Sequence, residues 1–131
     1  MVHVVFATKE RAPLIKFEIE QQIYNHIKEQ LIELGCHVRI INGMPDHIHL
    51  LFLLNPKQNV ADVVKQLKGN TSHWINEKDI IKEKFVWQTG YAAFSVSESQ
   101  LDKVYIYIQN QKQHHQKKTF MLEYEEFINV H

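Results

Sequence analysis

Apolar positions along the chain fall into short strand-like runs separated by two longer stretches with helical spacing. Residues 3–8 (His-Val-Val-Phe-Ala-Thr) read as a first strand. From about Leu14 to Leu34, Ile23, Tyr24, Ile27, Leu31 and Leu34 recur at helical intervals, and Gly35 is a natural C-terminal stop. Residues 36–42 alternate as a second strand, Gly43-Met-Pro-Asp46 turns the chain, and the apolar run 47–54 is a third strand. Asn55-Pro56 breaks that strand. Asn59 is a candidate N-cap, with Asp62 in the first turn of a helix that buries Val60, Val63, Val64 and Leu67. Gly69 is expected to kink or interrupt this helix before Trp74 and Ile75.

After a charged loop, Phe85-Val86-Trp87 leads into a fourth strand over 90–96. Ser97-Glu98-Ser99-Gln100 resembles a capping box and starts a helix through about His114, and a last short helix is expected over 119–129. The order β-α-β-β-α-β is that of the ferredoxin-like split β-α-β arrangement. The expected class is α+β: an antiparallel sheet with helices on one face and appended C-terminal helices. Its other face is expected to be bare.

The third strand carries the most informative chemistry. Side chains at i and i+2 of a strand share a face, so His47 and His49 aim two imidazoles at one place. Imidazole is a common transition-metal ligand, and a histidine pair in an apolar strand wants a reason. In a chain with nine histidines such a pair also arises by chance, so the motif alone leaves both readings open.

Composition narrows the classes. A chain of 131 residues suits one domain, here 1–131, and 44% hydrophobic with 23% charged residues is ordinary for a globular protein. The single cysteine, Cys36, excludes an internal disulfide and a cysteine-based zinc site, which fits a reducing, cytoplasmic setting. The strand-like start is unlike a signal peptide, and no run approaches the roughly 20 apolar residues of a membrane helix. Formal net charge is zero, which argues against coating duplex DNA by charge alone. Charge is uneven, however. Residues 121–131 hold three acids and no Lys or Arg, whereas Lys112, Lys117 and Lys118 lie just upstream.

The helix after Ser97 contains Val104-Tyr-Ile-Tyr-Ile-Gln-Asn-Gln111. Leu101, Val104, Tyr105 and Ile108 form its apolar stripe, which is expected to bury the Tyr105 ring. Tyr107 and Gln111 lie one turn apart on another face, where they could present a nucleophile and an oxygen ligand together. Taken alone, this is also the pattern of a surface tyrosine beside a solvated glutamine.

The whole pattern resembles the single-tyrosine HUH transposases of the insertion sequence 200/605 group, including those associated with repetitive extragenic palindromes. HUH denotes histidine, a bulky apolar residue, histidine; here it is His47-Ile48-His49. The resemblance runs through His3-Val-Val-Phe-Ala-Thr-Lys9, Met44-Pro-Asp-His-Ile-His-Leu-Leu51 and Leu67-Lys-Gly-Asn-Thr-Ser-His-Trp-Ile75. It continues through Trp87-Gln-Thr-Gly-Tyr-Ala-Ala-Phe-Ser-Val-Ser97 and Tyr107-Ile-Gln-Asn-Gln-Lys-Gln-His-His115. The histidine motif is weak alone; these blocks in this order are highly specific.

The resemblance implies that His47, His49 and Gln111 hold Mg²⁺ or Mn²⁺ and that Tyr107 is the nucleophile. It implies cleavage and rejoining of single-stranded DNA at hairpin-bearing ends through a 5′-phosphotyrosine, by a homodimer. Tyrosine, isoleucine and glutamine recur at the same spacing at Tyr105, Ile106 and Gln109, so helix geometry is what favours Tyr107. Lys65, Lys68, Asn70 and Ser72 are candidate DNA contacts, and Trp87 and Tyr91 are candidates either for stacking on bases or for the core. Three alternatives stay open: a domesticated palindrome-processing enzyme of the same chemistry, a non-catalytic single-strand binder, and a structural metal site. The joint presence of His47, His49, Tyr107 and Gln111 weighs against a pure binder, and three neutral ligands leave room for substrate.

Overall fold

A computed structural model describes residues 1–114. The strands are β1 (Val2–Ala7), β2 (His37–Met44), β3 (His47–Leu53) and β4 (Ala92–Ser95). The helices are α1 (Phe17–Glu33), α2 (Val60–Glu77), α3 (Leu101–Gln109) and the short α4 (Gln111–His114). The strands form one antiparallel sheet in the order β2-β3-β1-β4, which is the split β-α-β topology expected from the sequence. The helix expected over 119–129 lies outside the described residues. Among the described residues no helix is long and apolar enough to cross a membrane.

Strand alternation divides the side chains into two layers. Val4, Phe6, Ile48, Leu50 and Phe52 face α1 and α2, packing with Ile23, Ile27, Leu31, Val63, Val64, Leu67 and Ile75 in the main core. Burying each such large aliphatic or aromatic side chain contributes roughly 1.5–3 kcal/mol. The opposite layer holds Leu51, Val96, Val104, Tyr107 and Ile108, so α3 packs on the second face of the sheet. That face was expected to be bare; the C-terminal helices cover it instead. The apolar stripe of α3 requires a partner, and this face of the sheet supplies it.

The helix ends follow local chemistry. Asn59 caps α2 by accepting a hydrogen bond from the Asp62 amide at 2.9 Å. α1 starts later than the periodicity suggests, because Ile15 is buried in a bend before it and its amide bonds to the Pro45 carbonyl at 2.9 Å. Gly35 follows α1 at φ +79°, where a Cβ would also lie 2.4 Å from Asn55 Nδ2. The expected break at Gly69 is absent: α2 runs unbroken from Val60 to Glu77. Thr71 and Ile75 are buried beyond it, and that packing outweighs the roughly 1 kcal/mol helix cost of glycine. The capping box at Ser97 also fails. Ser97 precedes a 3₁₀ turn over Glu98–Gln100 without a side-chain cap, and its Oγ lies 3.2 Å from Ser99 Oγ.

The β2–β3 hairpin places the histidines. Met44 pairs with His47, so Pro45 and Asp46 alone make the turn. Thr8 ties this turn to β1 through its amide, 2.9 Å from the Asp46 carbonyl oxygen. A Cβ on Gly43 would lie 2.2 Å from the His47 carbonyl oxygen and 2.9 Å from Ile48 Cα. Both are backbone atoms, so neither can rotate away. Gly43→Ala should therefore destabilise the protein by about 1–3 kcal/mol, by the cost of overpacking. Urea unfolding monitored by circular dichroism checks this; an unchanged midpoint would mean the hairpin absorbs the methyl group.

Candidate active site between the sheet and the third helix

Six polar side chains are fully buried among the described residues: His3, Thr8, His47, His49, Thr71 and Gln111. Four of them, the three histidines and Gln111, meet between the sheet and the α3–α4 segment. Buried polar groups of this kind must satisfy one another or hold something else.

His47 and His49 share a face of β3, with ring centroids 5.0 Å apart. His47 Nδ1 lies 2.7 Å from Asp46 Oδ1, and Arg11 Nε donates to Asp46 Oδ2 at 2.9 Å. Arg11 reaches that carboxylate from a turn in which Glu10 and Arg11 both adopt φ 57°, a left-handed conformation costing about 1–2 kcal/mol per residue. Burial pushes the Asp46 carboxyl up, but hydrogen bonds and charge from His47 and Arg11 outweigh it and hold the group at about 2. Asp46 is therefore a carboxylate at neutral pH. Accepting the Nδ1 proton of His47 orients that ring and turns a lone pair on Nε2 inward.

His47 Nε2 then lies 3.3 Å from Gln111 Oε1. In the neutral ring both atoms are acceptors, an arrangement that a cation between them would reconcile. His49 Nε2 is buried and makes no hydrogen bond among the described residues. The His49 imidazole is held well below its ordinary pKa, first by burial and then by His3 and His47, while Gln111 opposes the shift. His49 is thus a neutral ring at neutral pH and has a lone pair to offer. Two imidazole nitrogens and an amide oxygen suit a divalent cation of borderline hardness. A cluster of three or more His, Cys, Asp or Glu side chains arranged for a metal is absent among the described residues, so a ligand set here would have to include Gln111.

Tyr107 joins this group, with its ring edge-on to His49 at 5.8 Å between centroids. It is only 6% exposed, whereas Tyr105 is half-buried with Arg39 over its ring at 5.7 Å. The expectation that Tyr105 is the buried tyrosine is therefore corrected. The stripe criterion failed because the histidine-bearing face is itself the surface against which α3 packs. The tyrosine that faces the site is for that reason the buried one.

Polar clamps hold Gln111 in place. α3 is capped at its C-terminus by Asn110, and Asn42 Nδ2 donates to the carbonyls of Ile108 and Gln109 at 3.0 and 3.1 Å. Lys112 Nζ donates to Asn42 Oδ1, to the Gly43 carbonyl and to Glu20 Oε2 at 3.0, 2.6 and 3.1 Å. His47, His49 and Gln111 are fully buried.

His3 was not singled out from sequence as a site residue, yet its Nε2 lies 2.9 Å from His49 Nδ1. Burial alone pushes the His3 imidazole down to about 3.

The candidate DNA-contact residues lie elsewhere. All four sit on α2, in the layer on the other side of the sheet. Lys65 and Asn70 are exposed. Lys68 Nζ instead donates to the Gln88 and Gly90 carbonyls at 2.7 and 2.8 Å, and Ser72 Oγ donates to the Gly69 carbonyl at 3.2 Å. Trp87 belongs to the core, edge-on to Phe6 and Phe85, with its Nε1 donating to the Lys68 carbonyl. Tyr91 is 43% exposed.

Comparison with known proteins bears on this arrangement. The sequence model of the IS200-like transposases matches residues 1–111. The ISDra2 transposase TnpA of Deinococcus radiodurans is 28% identical over 114 residues, covering 83% of this chain and 81% of that protein. A solved structure described as a transposase from Deinococcus radiodurans R1 superposes with a TM-score of 0.67 at 26% identity, covering 84% of this chain and 88% of the other. The structure of a REP-associated tyrosine transposase bound to a REP hairpin has the same fold, with a TM-score of 0.64 at 14% identity over 86% of this chain and 67% of that one.

The clamp makes a local prediction. Lys112→Met removes the hydrogen bonds to Asn42 and Gly43 and the ion pair to Glu20. Amide exchange at residues 108–113 should then accelerate about tenfold or more, as expected for loss of at least 1.4 kcal/mol of local protection. Exchange in the α1 and α2 cores should change little. Equal acceleration across the whole chain would show that Lys112 supports global stability and not the seating of α4.

Proposed function

The chain belongs to the IS200-like transposase family, the insertion sequence 200/605 group of HUH transposases, and from that premise we propose a metal-assisted tyrosine mechanism on single-stranded DNA. A transposase of this family is a DNA-processing enzyme. The finer reading is that this chain is a catalytic domain that cleaves and rejoins single-stranded DNA at hairpin-bearing ends. The observation that carries it is the convergence of His47 Nε2, the His49 ring and Gln111 Oε1 beside Tyr107.

On this reading His47, His49 and Gln111 hold Mg²⁺ or Mn²⁺. When bound, such an ion supplies Lewis-acid polarisation of a non-bridging phosphate oxygen and offsets its charge. Asp46 keeps His47 in its ligating tautomer, and Arg11 keeps Asp46 ionised and in place. Tyr107 Oη attacks the phosphorus. The new bond joins tyrosine oxygen to phosphorus, the P–O3′ bond breaks, and the phenolic proton is delivered in the end to the released 3′-OH. The product is a 5′-phosphotyrosine, whose ester bond lets a second 3′-OH reverse the step without ATP. Tyr107 sits beside the histidines of its own chain, which supports attack within one chain, whether or not the protein is a homodimer.

A hairpin-bound protein of the same fold supports a hairpin substrate. Lys65 and Asn70 are the α2 residues free to contact DNA, and Lys68 would act through the 88–90 segment that it holds beside the exposed Tyr91.

Two outcomes follow. His49→Ala should lower cleavage of a hairpin-bearing single strand at least 100-fold, and EDTA should abolish wild-type cleavage until Mn²⁺ or Mg²⁺ is restored. Full activity of the variant would remove the metal reading. In a denaturing gel, Tyr107→Phe should lose the covalent protein–DNA adduct while still binding the oligonucleotide, and Tyr105→Phe should retain the adduct. An adduct mapped to Tyr105 by mass spectrometry would reverse the assignment.

A further inference from the structure

His3 and His49 meet because of strand register. β1 and β3 pair with Val5 opposite His49 and His3 opposite Leu51. His3 is therefore the diagonal neighbour of His49 on the same face, a separation that ring side chains can bridge. The rings stack with centroids 5.2 Å apart and planes inclined by 27°. Phe94 and Tyr107 wall the pair at 5.9 and 6.5 Å from the His3 ring. Both histidines are fully buried.

One proton lies on the 2.9 Å line between His3 Nε2 and His49 Nδ1. If His3 donates, His49 carries its own proton on Nε2 and presents N–H towards Gln111. If His49 donates, its Nε2 is a bare lone pair. Only the second arrangement makes His49 a ligand. Gln111 faces the same nitrogen and can accept a proton from it, so the choice of the second arrangement rests on the ligand reading of His49 given above.

We propose that His3 is a positioning residue: it accepts the hydrogen bond from His49 Nδ1–H and so fixes the tautomer that turns the His49 Nε2 lone pair into the site. The two ligand histidines are then oriented by different chemistry. His47 is held by a carboxylate that Arg11 neutralises and that is partly open to solvent. His49, deeper between sheet and helix, is held by a neutral ring. A second carboxylate at that depth would carry a large desolvation cost without a cation to pair with. An imidazole sets the tautomer without adding charge. The proposal rests on the ligand set proposed above, and the tautomer is read in the metal-free protein.

The test has two arms on the full chain. Long-range ¹H–¹⁵N NMR of the metal-free protein at neutral pH reads the ring nitrogens of His49. The expected result is a protonated, pyrrole-type Nδ1 and a pyridine-type Nε2; the reverse pattern overturns the proposal. In the second arm, Mn²⁺ is titrated calorimetrically. His3→Leu should weaken binding 10–100-fold, the range typical for loss of a partner that orients a metal ligand. His3→Gln, whose amide oxygen can accept the same hydrogen bond, should recover most of it. Mn²⁺ affinity of His3→Leu within twofold of wild type overturns the proposal. If the leucine variant fails to fold, the wild-type nitrogen shifts and the glutamine variant decide. A wild-type protein that binds no Mn²⁺ overturns the ligand reading, and the nitrogen shifts then decide on His3 alone.

Discussion

The structure depends on one constraint: two adjacent imidazoles of a single strand are buried side by side between a sheet and a helix. Strand periodicity forces His47 and His49 onto one face, and α3 covers that face. In such a place each ring nitrogen needs a partner of the right kind. Asp46 and His3 take the outer nitrogens, at 2.7 and 2.9 Å, and the inner nitrogen of His47 faces Gln111. Much of the surrounding fold can be understood as the means of holding these partners. The Pro45–Asp46 turn is fastened to β1 through Thr8, Arg11 reaches back to Asp46 from a left-handed turn, and Asn42 with Lys112 seats the end of α3 and the start of α4.

Much of this was legible in the sequence. The succession of strands and helices along the chain, the Asn59 cap, the Gly35 stop and the shared face of His47 and His49 all follow from local rules whose range is a few residues. What was not legible depends on which strand lies beside which. His3 looks like one polar residue at the edge of an apolar run; only the β1–β3 register makes it the diagonal neighbour of His49. The two tyrosines of α3 exchanged their expected burial for a related reason. Helical periodicity identifies an apolar stripe, but it cannot say that the Tyr107 side of the helix will also be packed against the sheet. Gly69 and Ser97 show the remaining kind of error. Each carries a local signal worth about 1 kcal/mol, and tertiary packing at Thr71 and Ile75 or a competing 3₁₀ turn overrides it.

The two layers of the protein differ in character. The α1–α2 layer is a conventional apolar core, and its outward surface carries the exposed Lys65 and Asn70. The α3 layer is thinner, mixed in polarity and fastened by side-chain hydrogen bonds as well as apolar contact. Regions held in this way open at lower cost than an apolar core.

The central claim is that His47 Nε2, His49 Nε2 and Gln111 Oε1 share one cation. The most direct measurement is a crystal structure of the full chain grown with Mn²⁺, with anomalous diffraction collected above and below the manganese absorption edge. The account predicts one anomalous peak bounded by those three atoms, with Nδ1 of His47 still on Asp46 and Nδ1 of His49 still on His3. A protein saturated with Mn²⁺ whose only anomalous peaks lie away from these atoms would contradict it.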